Sequence, residues 1–346
     1  MIMADEIDIL VDLTGHTAGN RLDVMALKPA PVQVTYIGYP NTTGLPTIDY
    51  RFADAVTDPL DSQQRYVEEL VRLPHCFLCY TPSPDAGPVA PAPCTKNGYI
   101  TFGSFNNLAK RMVIKCKPFA CDTIRNNFLR RLQDEGIEPA RVDLLALIPL
   151  NHDHLQAYSY MDISLDTFPY AGTTTTCEAL WMGVPVITLT GDNHAHNVGA
   201  TILQQVGHEE LIARTKESYV QAALRLASDV QRLHAIRRYR IAIVSISLRE
   251  KMQSSYLCNP REFTRNLEDT YSRLWRKHCL QHVELSAVDN QGQPAPSSEP
   301  NTTTGPAKKV KITTEGTELD GGGGAAAAEN GSHRGPAYVH PARSPF

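Results

Sequence analysis

The chain has 346 residues, of which 42% are hydrophobic and 20% charged, and its formal net charge is −4. This composition is that of an ordinary globular protein with room for two domains, and it carries no electrostatic sign of nucleic-acid binding. No apolar run approaches the ~20 residues of a membrane span, and the first residues lack the basic and apolar regions of a secretory signal. We therefore expect an intracellular protein with no nucleic-acid or membrane partner, whose eight cysteines are free thiols.

Short apolar runs rich in β-branched residues alternate with helical patterns, which predicts an α/β fold built on parallel sheets. The predicted strands cover residues 7–13, 32–38, 99–104, 112–117, 142–146, 163–166 and 184–190. The predicted helices cover residues 21–27, 122–135, 176–182, 196–205, 218–234 and 260–278.

Composition divides the chain into four parts. Residues 81–97 contain five prolines, which indicates a linker between two α/β lobes. The first lobe is then residues 1–80 and the second lobe residues 98–281. From about residue 282 the chain turns to Ser, Pro, Gly and Ala, so residues 282–346 are expected to form a disordered tail.

Two segments conflict with this pattern. The predicted strands at 99–104 and 112–117 are separated by few residues, whereas parallel neighbours need a crossover of about a dozen or more. Either the two strands form a hairpin or a crossover helix is missing. The second segment is "RRYRIAIVSISLRE", a strand-like run within a helical region, which resembles inserted sequence.

The stretch "AGTTTTCEALW" lies between a predicted strand and a predicted helix. Four adjacent β-branched residues are poor helix formers, but hydroxyls beside the exposed N–H groups of a helix start are suited to a diphosphate. Gly172 would allow the close approach of the ligand, and Glu178 would accept a bond from a sugar hydroxyl. The alternatives are a helix cap with surplus threonines and a carboxylate that complements the helix dipole.

Other loops also follow predicted strand ends, which is where doubly wound sheets bind ligands. In "SFNNLAKR", Lys110 is a cation suited to phosphate and Asn107 offers both a donor and an acceptor. His154 in "PLNHDHLQAY" has a ring that would stack on a base, and His16 in "VDLTGHTAGNR" changes charge near neutral pH and would serve as a base. The competing interpretation of each is a solvated surface side chain.

Metal sites have weaker support. Cys76 and Cys79 have a C-x-x-C spacing, but Cys116 and Cys121 do not form a second pair with the spacing of a zinc knuckle. His194 and His196 lack a convincing third ligand. We therefore expect no metal ion and no cofactor.

Long segments of the chain resemble the catalytic region of the nucleocytoplasmic O-GlcNAc transferase family, most closely its plant branch. They include "GHTAGNRLDVMALKPAPVQVTYIGYPNTTGLPTIDYR", "TFGSFNNLAK" and "NHDHLQAYSYMDISLDTFPYAGTTTTCEALWMGVPVITL". The resemblance implies a GT-B glycosyltransferase with two Rossmann-like lobes and a sugar nucleotide in the cleft between them. It also implies inverting, metal-free transfer of one sugar to Ser or Thr of proteins in the cytoplasm and nucleus, including regulators of hormone signalling such as that of gibberellin.

The resemblance further implies roles for individual residues. Lys110 would neutralise the leaving diphosphate, with Asn107 as its donor-binding neighbour. His154 would lie near the nucleotide base and Glu178 near the ribose. The remaining implied donor contacts are Gly172, Thr173, Thr174 and Thr175 at the phosphates and sugar, and Ile37 and Gly38 at a strand end facing the sugar. The proton of the acceptor needs a base, for which Asp5, Asp8 and His16 are candidates.

Two alternatives remain open at this stage. Thr173, which replaces a histidine of the animal enzyme, and the closeness to the plant sequences favour GDP-fucose as donor over UDP-GlcNAc. The first lobe is expected to be incomplete, and the sequence shows no 34-residue repeat of the kind the family carries. A catalytically dead fragment that binds nucleotide or partner proteins is therefore the alternative to an active transferase.

Overall fold

The structure, a computed structural model, describes residues 2–104, 112–237 and 247–289, with the last six of these by their backbone only. All of them belong to one compact unit, Met1–Lys308. Lys110, Asn107, most of the segment proposed to be inserted (residues 238–246) and the tail from residue 290 onward lie outside the described residues.

The first lobe contains a parallel sheet of four strands in the order β1-β2-β3-β4. The strands are β1 (Ile9–Asp12), β2 (Val32–Thr35), β3 (Tyr50–Ala53) and β4 (Glu69–Arg72). A short helix, α1 (Leu22–Ala26), lies between the first two. Sequence analysis predicted β1 and β2 but missed β3 and β4.

The second lobe contains a parallel sheet of six strands in the order β10-β9-β8-β5-β6-β7. The strands are β5 (Phe102–Ser104), β6 (Met112–Lys115), β7 (Val142–Leu145), β8 (Ile163–Leu165), β9 (Val186–Leu189) and β10 (Ile212–Ala213). Sequence analysis missed only the two-residue edge strand β10 among them.

The remaining helices follow in chain order. They are α2 (Cys94–Asn97), α3 (Asp122–Asp134), α4 (Asn151–Gln156), α5 (Thr174–Trp181), α6 (His194–Gln205), α7 (Lys216–Ser228), α8 (Val230–Arg237), α9 (Leu248–Ser254) and α10 (Pro260–Asp289). Short 3₁₀ turns lie at Lys117–Ala120, Pro139–Arg141, Ala157–Tyr160, Glu209–Leu211 and Tyr256–Cys258. None of the described helices combines the length and apolar character that crossing a bilayer requires.

The strands β5 and β6 are parallel neighbours, with Phe102 opposite Met112. The hairpin alternative for this pair was therefore wrong, since a hairpin would make the two strands antiparallel. The residues that connect them, 105–111, lie outside the described part of the chain.

The helix predicted over residues 218–234 is two helices, α7 and α8. Asp229 separates them, and its side chain accepts a hydrogen bond from the backbone N–H of Arg232 at 2.9 Å. An aspartate in this position caps the start of the second helix, which interrupts the first. Two other helices begin two residues earlier than predicted, α5 at Thr174 and α6 at His194.

The last helix, α10, packs on the sheet of the first lobe, although sequence analysis placed it in the second. The rings of Tyr271 and Phe52 have centroids 5.5 Å apart, and Lys277 Nζ lies 2.7 Å from Glu69 Oε2. The helix runs to Asp289, so the predicted boundary at residue 281 falls inside it.

The proline-rich segment (residues 81–97) lies against the second lobe. Its Cys94 is buried, and the Cys94 backbone N–H donates to Asp162 Oδ1 at 3.0 Å. Arg249 of α9 donates to the carbonyl of Gly87 at 2.9 Å. One continuous apolar core contains buried residues of both lobes, including Phe52 and Ile187.

Candidate active site

The two lobes meet at the carboxyl ends of their strands. Asp58, in the loop after β3, lies with Oδ2 2.6 Å from Nδ1 of His194, the first residue of α6, and both side chains are buried. The pKa of Asp58 is held below its usual range by the hydrogen bond from His194, although burial acts in the opposite direction. Thr201 of α6 also donates to Asp54 Oδ2 at 2.8 Å. The loop edges of the two sheets are therefore adjacent.

Gln64 and the start of α6 link the loops of the two lobes. The Gln64 side chain accepts from the His194 backbone N–H at 2.8 Å and donates to Asn41 Oδ1 at 2.8 Å. On the other side, the Ala171 N–H donates to the carbonyl of Ala195 at 2.9 Å. The loop after β3, through Gln64, and the loop before α5 thus both contact the same helix start.

In the first lobe, His16 lies in the loop after β1 and is exposed. Its Nε2 is 2.8 Å from the carbonyl of Thr43, in the loop after β2. Because a carbonyl only accepts, Nε2 carries the proton in this contact, and Nδ1 is the nitrogen that can take up another. The ring of Tyr39 packs edge-on against the imidazole at 5.1 Å.

Gly38 is the point of closest approach between the first two strand ends. A Cβ there would lie 2.0 Å from the backbone oxygen of Leu13, so no larger residue fits without moving the backbone. Ile37, just before it, has φ of 61° and is 43% exposed. A β-branched residue with positive φ is strained. The predicted sugar-facing strand end is thus an unusual backbone turn.

In the second lobe, residues 172–175, which we call the threonine turn, lead into α5. Thr173 occupies the N-cap position, and its side chain makes no capping hydrogen bond. Thr174 is exposed, and Thr173 and Thr175 are half-buried. The sequence left open whether these threonines bind a diphosphate or cap the helix. The cap by a threonine side chain is therefore wrong. The N–H groups at the start of α5 face outward with the positive end of the helix dipole.

Asp166, directly after β8, links the threonine turn to the sheet. It accepts from the N–H of Gly172 at 2.7 Å and from Oγ1 of Thr188 at 2.8 Å. Burial raises the pKa of this carboxyl to about 6. Sequence analysis did not select Asp166, although its place after a strand and before the glycine of the turn was a usable signal.

Glu178 of α5 is the centre of a second polar cluster. Its Oε2 lies 2.8 Å from His154 Nε2 and accepts from the hydroxyl of Tyr158 at 2.8 Å. In the described part of the chain, no hydrogen bond falls on its other oxygen, Oε1. Burial raises the pKa of Tyr158 well above its usual value, which keeps its hydroxyl a donor.

A lysine that sequence analysis missed completes this cluster. Lys115, at the end of β6, contacts Nδ1 of His154 with its ammonium group. Partial burial lowers the pKa of Lys115. Its signal in the sequence was its position in the second half of a predicted strand, residues 112–117, near the carboxyl end where such sheets bind ligands.

The structure thus separates the described candidates into two groups. The first-lobe group is His16, Ile37 and Gly38, and the second-lobe group is His154, Glu178 and the threonine turn. Both groups lie at loop edges that meet at the start of α6. Within residues 2–104, 112–237 and 247–283, no three His, Cys, Asp or Glu side chains come together as metal ligands.

Two parallel sheets that meet at the carboxyl ends of their strands form the GT-B architecture of nucleotide-sugar glycosyltransferases. The sequence model of glycosyl transferase family 41 matches residues 1–81 and 119–267, and the chain belongs to this family. The predicted fold class and family are therefore confirmed.

Relatives of known name agree with this assignment. The chain is 58% identical to a probable UDP-N-acetylglucosamine–peptide N-acetylglucosaminyltransferase SPINDLY of Solanum lycopersicum, over 81% of this chain and 31% of that protein. It is 52% identical to the SPINDLY protein of Arabidopsis thaliana, over 92% of this chain and 36% of the other. The chain therefore spans about a third of the length of these relatives.

A solved structure shows the same architecture. A mutant of the O-GlcNAc transferase of Thermobaculum terrenum superposes with a TM-score of 0.73 at 35% sequence identity, covering 81% of this chain and 55% of that one. The GT-B arrangement of the two sheets therefore has an experimental counterpart in the transferase structure.

Proposed function

We propose that this chain is the catalytic region of a protein glycosyltransferase that moves one sugar from a nucleotide diphosphate to Ser or Thr hydroxyls of cytoplasmic and nuclear proteins. The observation that carries the proposal is the uncapped start of α5 behind Gly172, next to the cluster around Glu178. A helix start binds anions through its free N–H groups and dipole. The cluster provides polar partners for the sugar and base of a nucleotide.

In this proposal the donor lies along the second lobe. Its diphosphate binds the N–H groups of α5 and the hydroxyls of Thr173, Thr174 and Thr175. The ribose binds Glu178 through Oε1, since His154 and Tyr158 occupy Oε2. His154 then lies on the base side of the ribose. Asn107 and Lys110 complete the donor site, with the lysine neutralising the leaving group.

The first lobe supplies the acceptor side of the reaction. The acceptor hydroxyl oxygen forms a bond to the anomeric carbon, while the bond from that carbon to the diphosphate breaks. The nucleotide diphosphate leaves with the bonding electron pair, and the proton of the hydroxyl passes to Nδ1 of His16. Attack from the first lobe on a donor held by the second lobe inverts the anomeric carbon. Ile37 and Gly38 of the first lobe face the sugar, which lies between the two lobes.

The donor we favour is GDP-fucose, and UDP-GlcNAc is the alternative. Thr173 stands where the animal members of the family have histidine, and the chain is 52–58% identical to the plant relatives named above. The names of those relatives specify UDP-N-acetylglucosamine, so the experiment must include both donors. Acceptors of the proposed activity include regulators of hormone signalling.

The proposal is tested by titrating the chain with GDP and UDP in a calorimeter and then measuring transfer of labelled sugar to a Ser/Thr-rich acceptor protein. We expect GDP to bind more tightly and fucose to be transferred. Lys110→Ala should reduce transfer by about 10²-fold or more, because it removes charge stabilisation of the leaving group. Lys96→Ala, in helix α2, is the matched control. Binding without transfer would instead support a nucleotide-binding chain without turnover.

A further inference from the structure

Asp166 has an unusual environment for a carboxylate outside the proposed donor contacts. Its side chain is buried, with 7% of the residue exposed, and it directly follows the strand β8. A buried carboxylate is costly unless hydrogen bonds compensate for the loss of water. The question is why the fold keeps an acid at this position.

The two oxygens of this carboxylate have separate partners. Oδ1 accepts from the backbone N–H of Gly172 at 2.7 Å and of Thr167 at 2.9 Å. Oδ2 accepts from Oγ1 of Thr188, on the neighbouring strand β9, at 2.8 Å. One side of the carboxylate therefore holds the threonine turn, and the other side is anchored in the sheet.

The space around the carboxylate leaves it no second position. A Cβ at Gly199 of α6 would lie 2.4 Å from Oδ2, so the helix passes as closely as a glycine allows. A Cβ at Gly172 would lie 2.4 Å from Oγ1 of Thr175 and 3.2 Å from Oδ1 of Asp166. Sheet, carboxylate and turn are thus closely packed, and at Gly172 this side chain holds the turn.

We propose that Asp166 is a positioning residue that fixes the threonine turn in the orientation needed to receive the diphosphate of the donor. This inference rests on the proposed function. Asp166 does not itself contact the phosphates, whose charge it would repel. It holds the Gly172 N–H inward, so that the hydroxyls and the next N–H groups point outward. The ligand that the turn binds in this orientation is a nucleoside diphosphate.

The test uses the whole chain and the variants Asp166→Ala and Asp166→Asn. Alanine removes both oxygens and with them the contact to the Gly172 N–H. Asparagine is the matched control, because its oxygen still accepts from Gly172 while its NH2 donates to the hydroxyl of Thr188, which has free lone pairs. The ligands are GDP and guanosine, each measured by competition in ligand-observed NMR. Guanosine lacks phosphates and reports only on the base and ribose contacts.

For Asp166→Ala we expect the dissociation constant of GDP to rise about tenfold or more, as the loss of hydrogen bonds to a charged group implies, while that of guanosine changes less than about twofold. Asp166→Asn, which keeps the contact to the turn, should change GDP binding less than about threefold. A purely structural role would weaken both ligands alike. If Asp166→Ala does not fold, Asp166→Ser, which is small and polar, replaces it.

The inference is overturned if folded Asp166→Ala binds GDP within about threefold of the original chain, or loses GDP and guanosine affinity equally. If the unaltered chain binds neither GDP nor UDP, the proposed function fails and takes this inference with it. If the unaltered chain binds GDP and Asp166→Ala binds it as well, only the role of Asp166 is refuted.

Discussion

In the first lobe the buried aspartate Asp12 ends strand β1, and in the second lobe Asp166 directly follows strand β8. Asp12 accepts from the N–H of Gly15 at 2.9 Å and from Oγ1 of Thr35 on the neighbouring strand at 2.9 Å. Asp166 makes the same pair of contacts, to the N–H of Gly172 and to a threonine hydroxyl on its neighbouring strand. In each lobe a buried carboxylate therefore holds the glycine of the loop that follows it, Gly15 or Gly172.

The two anchored loops differ in the residues after the glycine. In the first lobe, the next residue is the exposed His16, and a short helix begins only at Leu22. In the second lobe, α5 begins two residues after Gly172. The same anchor therefore presents an imidazole in one lobe and a helix start in the other. A base and an anion site are the two groups that the proposed inverting transfer needs on opposite sides of the sugar.

The largest effect is expected in the first lobe, at Gly38, which follows β2 and lies outside the two anchored loops. Gly38→Ala should lower the free energy of unfolding by about 4 kcal/mol, above the usual range for overpacking, because the new Cβ would meet the Leu13 backbone at 2.0 Å. Urea unfolding measures the change. Gly44→Ala, where no atom lies within 4 Å and φ is 75°, is the control and should cost only about 1 kcal/mol. Equal losses in the two variants would contradict the close approach.

The buried carboxylate of the second lobe should make stability depend on pH. Burial raises the Asp166 pKa from 3.8 to about 6, so between these values the folded state binds more protons than the unfolded state. This contribution, about 3 kcal/mol, is fully present below pH 3.8 and is lost as pH rises through 6.

Asp166→Asn lacks this proton, so its stability relative to the original chain should improve by about that amount from about pH 4 to about pH 7.5. Urea unfolding of both proteins across the range measures the difference. Asp143→Asn, at an exposed position of β7, is the control. A relative stability of Asp166→Asn that is independent of pH would show that the carboxyl titrates at its ordinary value.

The loop of the first lobe should affect turnover and leave nucleotide binding intact. His16→Ala should lower the rate of transfer by about 10²-fold, since it removes the proposed base, while GDP affinity stays within about twofold. Initial rates with labelled donor and calorimetry with GDP give the two numbers. His234→Ala in α8 serves as control. Unchanged turnover would remove His16 from the mechanism and leave Asp5 and Asp8 as candidates.

The threonine turn should behave in the opposite way. Gly172→Ala should weaken GDP binding about tenfold, because the new Cβ would push against the hydroxyl of Thr175 at 2.4 Å. The neighbours are movable side chains and not backbone, so the loss of stability should be smaller than for Gly38→Ala. Calorimetry and urea unfolding on the same sample separate the two effects. A large loss of stability with normal GDP affinity would reverse the comparison between the lobes.

Sequence pattern alone predicted most of the second lobe because its strands are short apolar runs between clear helices. It missed β3, whose four residues are all buried although one of them is Arg51. The Arg51 guanidinium donates to the carbonyl of Asn41 at 2.9 Å, which makes its burial possible. An arginine in a buried strand breaks the apolar pattern, and its partner is known only from the fold.

The composition and local pattern of the chain determined its class, its parallel α/β units and the presence of a glycine and hydroxyls before α5, because these depend on residues close in sequence. The tertiary structure alone decided which distant residues meet. His194 and Asp58 are 136 positions apart and join the two lobes, and α10 returns to cover the first sheet. Such contacts depend on how the sheets pack, and burial of a charged or polar group is favourable only where the fold brings it a partner.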